Sequence, residues 1–81
     1  MRIRVKFFAI VKDRAGVAET PLDLPDGANV AAAEAALKKM FPAIAGFLRQ
    51  AAYALNREYV DATAVLHEGD ELAVIPPVSG G

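Results

Sequence analysis

The last six residues of this sequence, Pro76-Pro77-Val78-Ser79-Gly80-Gly81, offer the most distinctive chemistry. Two successive prolines fix φ, remove two backbone donors and favour an extended polyproline geometry. Because glycine has no side chain, Gly80 and Gly81 can pass through a channel that is too narrow for other residues. We therefore expect residues 76–81 to form an extended tail, about 20 Å long, that presents the Gly81 carboxylate to another protein.

The other residue types suggest no competing chemistry. The sequence has no cysteine, which excludes disulfides, thiolate metal ligands and a cysteine nucleophile. Its one histidine, His67, stands between Leu66 and Glu68, and a structural role is a better interpretation than metal binding. The acidic residues are scattered rather than grouped in a motif. We therefore predict no metal site and no bound cofactor.

Length and composition predict a single small globular domain. The chain has 81 residues, 54% of them apolar, and a net charge of −1. This charge argues against binding to nucleic acid or to an anionic membrane. No apolar run approaches the length of a transmembrane helix, and Met1-Arg2-Ile3-Arg4 does not lead into a signal sequence. We expect a cytoplasmic protein with a domain at residues 1–75 and the tail at 76–81.

The first half of the chain predicts a β-hairpin followed by a helix. Apolar residues alternate over residues 2–10, which indicates a strand with one buried face. A polar turn is expected at residues 12–16. A second strand is expected at 18–24, and Pro21 within it favours an edge position. The helix is predicted at Val30–Met40, with Asn29 as its N-cap.

The second half predicts short strands and a buried final strand. A helical turn is expected at residues 43–50, a hairpin at Ala52–Leu55 and Glu58–Val60, and the last strand at residues 72–75. The helix between the first and last strands allows these two to lie side by side and parallel. We therefore predict an α+β fold, the ubiquitin-like β-grasp, in which one main helix packs across a mixed sheet.

Side-chain alternation predicts an apolar surface on the face of the sheet opposite the helix. Ala73 and Ile75 of the final strand are expected on this face, and Phe8 and Ile10 on the same face of the first strand. Tyr59, on the short hairpin, would extend it. Scattered exposed hydrophobic residues are ordinary, but a contiguous patch at the root of the tail indicates a partner-binding surface.

Several segments of the sequence carry a family resemblance. They are Val5-Lys6-Phe7-Phe8-Ala9, Leu24-Pro25-Asp26-Gly27, Leu55-Asn56-Arg57 and residues 69–81. Together they resemble the small subunit of molybdopterin synthase over essentially the whole chain. The paired prolines distinguish this family from the related thiamine-pathway sulfur carriers, which share the Gly-Gly ending. One departure is Lys12-Asp13-Arg14, where the family more often has Arg-Glu.

The resemblance implies that the chain is a sulfur carrier in molybdenum cofactor biosynthesis. An ATP-dependent activating enzyme would adenylate Gly81, and a sulfur donor enzyme would supply the sulfur of a C-terminal thiocarboxylate. The tail, including Pro76, Pro77, Val78 and Ser79, would then enter the large catalytic subunit of a heterotetramer, where sulfur passes to a cyclic pterin precursor. A carboxylate is a poor acyl electrophile, so ATP must supply a leaving group, and the carrier contributes positioning rather than catalytic side chains.

Two other functions are compatible with the sequence. The same activation chemistry would serve a sulfur carrier for tRNA thiolation or thiamine synthesis, or a ubiquitin-like modifier of protein lysines. The other alternative is a non-catalytic β-grasp interaction domain with an inert tail. Chain ends are often disordered and without function, which is compatible with this alternative.

Overall fold

The structure, a computed structural model, describes residues 1–77. The predicted tail residues Val78, Ser79, Gly80 and Gly81 lie outside the described residues. In chain order the elements are β1 (Arg2–Phe7), α1 (Ala9–Ala15), β2 (Glu19–Asp23), α2 (Val30–Met40), a 3₁₀ helix (Pro42–Ile44), α3 (Ala45–Leu48), β3 (Ala52–Leu55), β4 (Glu58–Val60) and β5 (Glu71–Ile75).

The strands of the described residues form one mixed sheet in the order β2-β1-β5-β3-β4. β1 pairs with β5 in parallel, and the other neighbouring pairs are antiparallel. The long connection between β1 and β5 contains α2, as a parallel crossover requires. The α+β prediction and the ubiquitin-like β-grasp topology are therefore confirmed. β2, which contains Pro21, is an edge strand as predicted.

The helices and one face of the sheet enclose the core. Its fully buried side chains come from β1, β5, the helices and the connection between β4 and β5; the largest are Phe7, Ile3, Leu37, Ile44, Leu48, Leu66 and Leu72. Phe7 packs edge-on against Phe41, with ring centroids 5.4 Å apart. The α2 helix begins where it was predicted, because the Asn29 side chain accepts a hydrogen bond of 3.0 Å from the Ala32 backbone N–H.

The segment after β1 differs from the sequence prediction. The strand expected over residues 2–10 ends at Phe7, and α1 occupies the position of the expected polar turn. Ala9 has a φ of 51°, which turns the chain away from the strand direction. Gly16, with a φ of 81°, ends the helix in the left-handed conformation, and its N–H donates to the Lys12 carbonyl oxygen at 3.0 Å.

This difference changes the position of one residue of the predicted surface. Ile10 lies in α1 and not on β1, so its predicted place on the outer face of the sheet is wrong. Phe8 keeps an extended backbone between β1 and α1.

Among the described residues, no helix combines the length and the apolar character that a membrane crossing needs.

Candidate partner-binding groove

An open groove of about 330 Å³ lies on the face of the sheet opposite the core. We call it the sheet groove, and its lining residues are Lys6, Phe8, Ala54, Arg57, Tyr59, Glu71, Ala73 and Ile75. They come from β1, β3, β4 and β5, from the β3–β4 turn and from the residue after β1. The groove is therefore a product of the sheet pairing rather than of one loop.

Cross-strand register explains why the surface is concave here. Lys6 pairs with Ala73, Ala73 with Ala54, and Ala54 with Tyr59, so these residues form one row across the sheet. The two alanines in the middle are short and form the floor. Longer side chains at both ends of the row form the walls, because neighbouring residues on one face of a sheet stand side by side.

The apolar part of the groove contains three residues that the sequence predicted for partner binding. Phe8 is 45% exposed, Tyr59 is 73% exposed and Ile75 is half-buried. The structure brings these three side chains to one surface, whereas Ile10 is not part of its lining. Ala73 is also on this face, as parity predicted, and is 8% exposed on the groove floor.

Charged side chains at the groove differ in whether they have a partner. Lys6 Nζ lies 3.1 Å from Glu71 Oε1, and both side chains are partly buried. The exposed Arg57 forms no ion pair within residues 1–77. The described lining therefore carries one uncompensated positive charge.

The β3–β4 turn that carries Arg57 is fixed to the start of β5 by Asn56. Asn56 Nδ2 donates to Asp70 Oδ1 at 3.0 Å, and the Glu71 backbone N–H donates to Asn56 Oδ1 at 3.0 Å. Asp70 Oδ2 in turn accepts a 2.8 Å hydrogen bond from the His67 backbone N–H. Nδ1 of the exposed His67 side chain lies 3.9 Å from Asp70 Oδ2, and within residues 1–77 no group of three potential ligands could hold a metal ion.

The groove lies at the root of the predicted tail. β5 ends at Ile75, as the prolines predicted, and Ile75 lines the groove. Pro76 is half-buried and Pro77 is exposed. A protein bound in the groove would therefore be next to the chain that leads to Gly81.

Sequence reasoning did not select Lys6, Ala54, Arg57 or Glu71 as site residues. Their importance depends on the register between strands, which the sequence does not specify. The signal available for Arg57 was its place in a two-residue turn between β-forming runs, where glycine is the usual second residue.

The fold is that of a ubiquitin-like β-grasp protein, and it carries an open groove beside β5. The sequence model of the ThiS family matches residues 5–81. The chain is 40% identical over 83 residues to the molybdopterin synthase sulfur carrier subunit of Chlamydomonas reinhardtii, covering 100% of both chains. It is 35% identical over 81 residues to the protein of the same name from Arabidopsis thaliana, covering 100% of this chain and 84% of that one.

Solved structures agree with this relationship. Small archaeal modifier protein 1 (SAMP1) of Haloferax volcanii superposes with a TM-score of 0.92 at 29% identity, covering 100% of both chains. The chain belongs to the ThiS family and, within it, to the molybdopterin synthase sulfur carrier subunits. The family resemblance of the sequence is thereby confirmed.

Proposed function

We propose that this chain carries sulfur as a thiocarboxylate on Gly81 and delivers it to a cyclic pterin precursor in molybdopterin synthase. The observation that carries the proposal is the full-length similarity to proteins named as sulfur carrier subunits of that enzyme. The ending Ser79-Gly80-Gly81 supplies the acceptor carboxylate. In this proposal ATP is used by the activating enzyme and is not bound by the carrier, and both proteins act in the cytoplasm.

The proposed chemistry has two steps on Gly81. Its carboxylate first attacks the α-phosphorus of ATP, and pyrophosphate leaves. Hydrosulfide supplied by a donor enzyme then attacks the acyl carbon and displaces AMP, so a thiocarboxylate remains. The carrier contributes position, because the side chains near β5 bind a partner while the tail reaches its active site.

The first prediction is that Gly81 acquires sulfur. After incubation with ATP, a sulfur donor and the activating enzyme of its host, intact-mass analysis should show one oxygen replaced by sulfur. Fragmentation should place this change in the terminal peptide. Omitting ATP is the control, since the acyl carbon then has no leaving group. An unmodified chain under complete conditions would contradict the proposal.

A ubiquitin-like modifier is the second candidate function, and the similarity to small archaeal modifier protein 1 favours it. The same mass analysis separates the two. A modifier would appear joined to lysine side chains of other proteins, whereas a carrier would appear as the free thiocarboxylate. A non-catalytic interaction domain would show neither product.

We also propose that the sheet groove is the surface that binds the large catalytic subunit. The relatives are named as subunits, so they act together with another chain. Phe8, Tyr59 and Ile75 provide apolar anchors, and Pro76 and Pro77 lead from this surface toward Gly81. Apolar and aromatic side chains near the centre of an interface commonly supply most of its binding energy.

The second prediction is that Phe8→Ala and Ile75→Ala each weaken binding to the large subunit by about 1 kcal/mol, or about fivefold, in calorimetry. Met40→Ala is a matched control, because Met40 is 48% exposed on α2, close to the 45% of Phe8. Weakening by Met40→Ala alone would place the interface on the helix side of the molecule and contradict the proposal.

A further inference from the structure

Arg57 adopts a backbone conformation that its side chain does not favour. β3 and β4 are joined by the two residues Asn56 and Arg57, whose φ angles are 49° and 73°. A two-residue turn with both φ angles positive favours Asn followed by Gly. Asn56 fits the first position, but an arginine at the second is disfavoured by the contact of its Cβ with the backbone. Hairpin geometry alone therefore gives no reason for arginine here.

The immediate surroundings of Arg57 give no such reason either. Within residues 1–77 its guanidinium forms no ion pair, although Glu71 also lines the sheet groove. Glu71 is already paired with Lys6 at 3.1 Å. Unfavourable backbone conformations that persist in proteins are concentrated at functional sites.

The turn nevertheless holds Arg57 in a defined place. Asn56 is hydrogen-bonded through its side chain to Asp70 and to the Glu71 backbone, which fixes the turn to the start of β5. Tyr59 lies two residues further along the same hairpin and lines the same groove. Arg57 thus presents a positive charge beside an apolar anchor.

We propose that Arg57 is a specificity-determining residue that pairs with a carboxylate of the large catalytic subunit bound in the sheet groove. This inference rests on the proposed function and adds the chemistry of the partner surface: an apolar contact with an acidic side chain next to it. Guanidinium suits this task because its planar group can donate two parallel hydrogen bonds to one carboxylate. The uncompensated charge would also favour association with an acidic surface over a basic one.

The third prediction tests this pairing by calorimetry of the full-length chain with the large subunit at two salt concentrations. Arg57→Ala should weaken binding about fivefold near 50 mM salt, and less than about twofold near 500 mM, because salt screens an exposed charge pair. Arg57→Lys should recover part of the affinity. Arg49→Ala is the matched control, since it removes an equal charge from an exposed residue outside the groove and should leave binding unchanged.

A second variant separates binding from folding. Arg57→Gly relieves the unfavourable backbone conformation, so its thermal midpoint should rise by roughly 4 °C while its affinity falls as in Arg57→Ala. If Arg57 served only to stabilise the fold, Arg57→Gly would not raise the thermal midpoint and weaken binding at the same time. Affinity unchanged in both variants, or lowered equally by Arg49→Ala, would overturn the inference.

Comparison with other variants and partners identifies which proposal has failed. If Phe8→Ala weakens binding and the Arg57 variants do not, the groove is the interface and the role of Arg57 alone is wrong. If the Arg57 variants weaken binding only to the activating enzyme, the assignment to the large subunit is wrong. Absence of a thiocarboxylate on the wild-type chain would contradict the proposed function itself.

Discussion

Tyr53 of β3 connects the sheet to the main helix through a single hydrogen bond. Its side chain is 7% exposed, and its hydroxyl donates to Glu34 Oε1 of α2 at 2.7 Å. Lys38 Nζ lies 3.3 Å from the other oxygen of the same carboxylate. Burial, and then the neighbouring Glu34 carboxylate, raise the pKa of Tyr53 above its ordinary value of 10.0, because both disfavour a phenolate there.

The fourth prediction concerns the stability that depends on Tyr53. Tyr53→Phe should lower the free energy of unfolding by about 1 kcal/mol at neutral pH, since it removes a hydrogen bond to a charged group. The folded chain keeps the phenol proton above about pH 10, whereas the unfolded chain releases it, so wild-type stability falls as pH rises through this range. Tyr53→Phe has no phenol at this position, so its stability does not fall with pH for this reason.

Urea denaturation at several values between about pH 8 and pH 11 measures both effects. The difference in the free energy of unfolding between wild type and Tyr53→Phe should become smaller as pH rises. If the free energies of unfolding of the two proteins keep a constant difference over this pH range, the Tyr53 phenol titrates alike in the folded and unfolded chain, and the prediction is wrong.

At the residue scale, part of the groove could be predicted from the sequence. Ile75 and Phe8 were predictable because strand parity places alternate residues on opposite faces. Arg57 was not, because its significance comes from a charge that residues 1–77 leave unpaired and from the pairing of β3 with β5, which brings it to the groove that Ile75 lines. Neither property is visible before the strands are paired.

Among the elements, α1 shows why periodicity alone was misleading. Ile3, Val5 and Phe7 alternate as a strand requires, and the next buried residue, Val11, has the same parity although Ala9 between them is exposed. A seven-residue helix has little stability of its own, so the burial of Val11 and not local propensity decides the conformation. Gly16 was the available signal, since glycine is frequent just after a helix.

The elements whose ends are marked by capping, proline or turn residues were predicted with the correct bounds. α2 has the predicted bounds because Asn29 caps its start and Pro42 follows its end. β3 and β4 have their predicted bounds because two turn-compatible residues separate two β-forming runs. Local sequence thus determined these elements, whereas the conformation after Phe7 depends on packing against the rest of the chain.

At the scale of the whole molecule, β5 connects the sheet groove to the start of the predicted tail. It lies between β1 and β3 in the middle of the sheet, contributes Leu72 and Val74 to the core, and contributes Ala73 and Ile75 to the groove. The same strand leads directly to Pro76. A partner bound in the groove therefore has a fixed relation to the start of the tail, which supports the proposed role as a positioning protein.

The final prediction follows from where the core residues lie along the chain. Every buried hydrophobic residue within the described part of the chain precedes Ile75, so the tail should contribute little to stability. Deleting Gly81, or replacing Gly80 with leucine, should abolish sulfur transfer while calorimetry shows an almost unchanged thermal midpoint. Gly46→Ala is the matched glycine control, because an added Cβ there meets nothing within 4 Å, and it should preserve both properties. A tail variant that lost cooperative unfolding together with transfer would show that the tail stabilises the domain and does not act only as the carrier of sulfur.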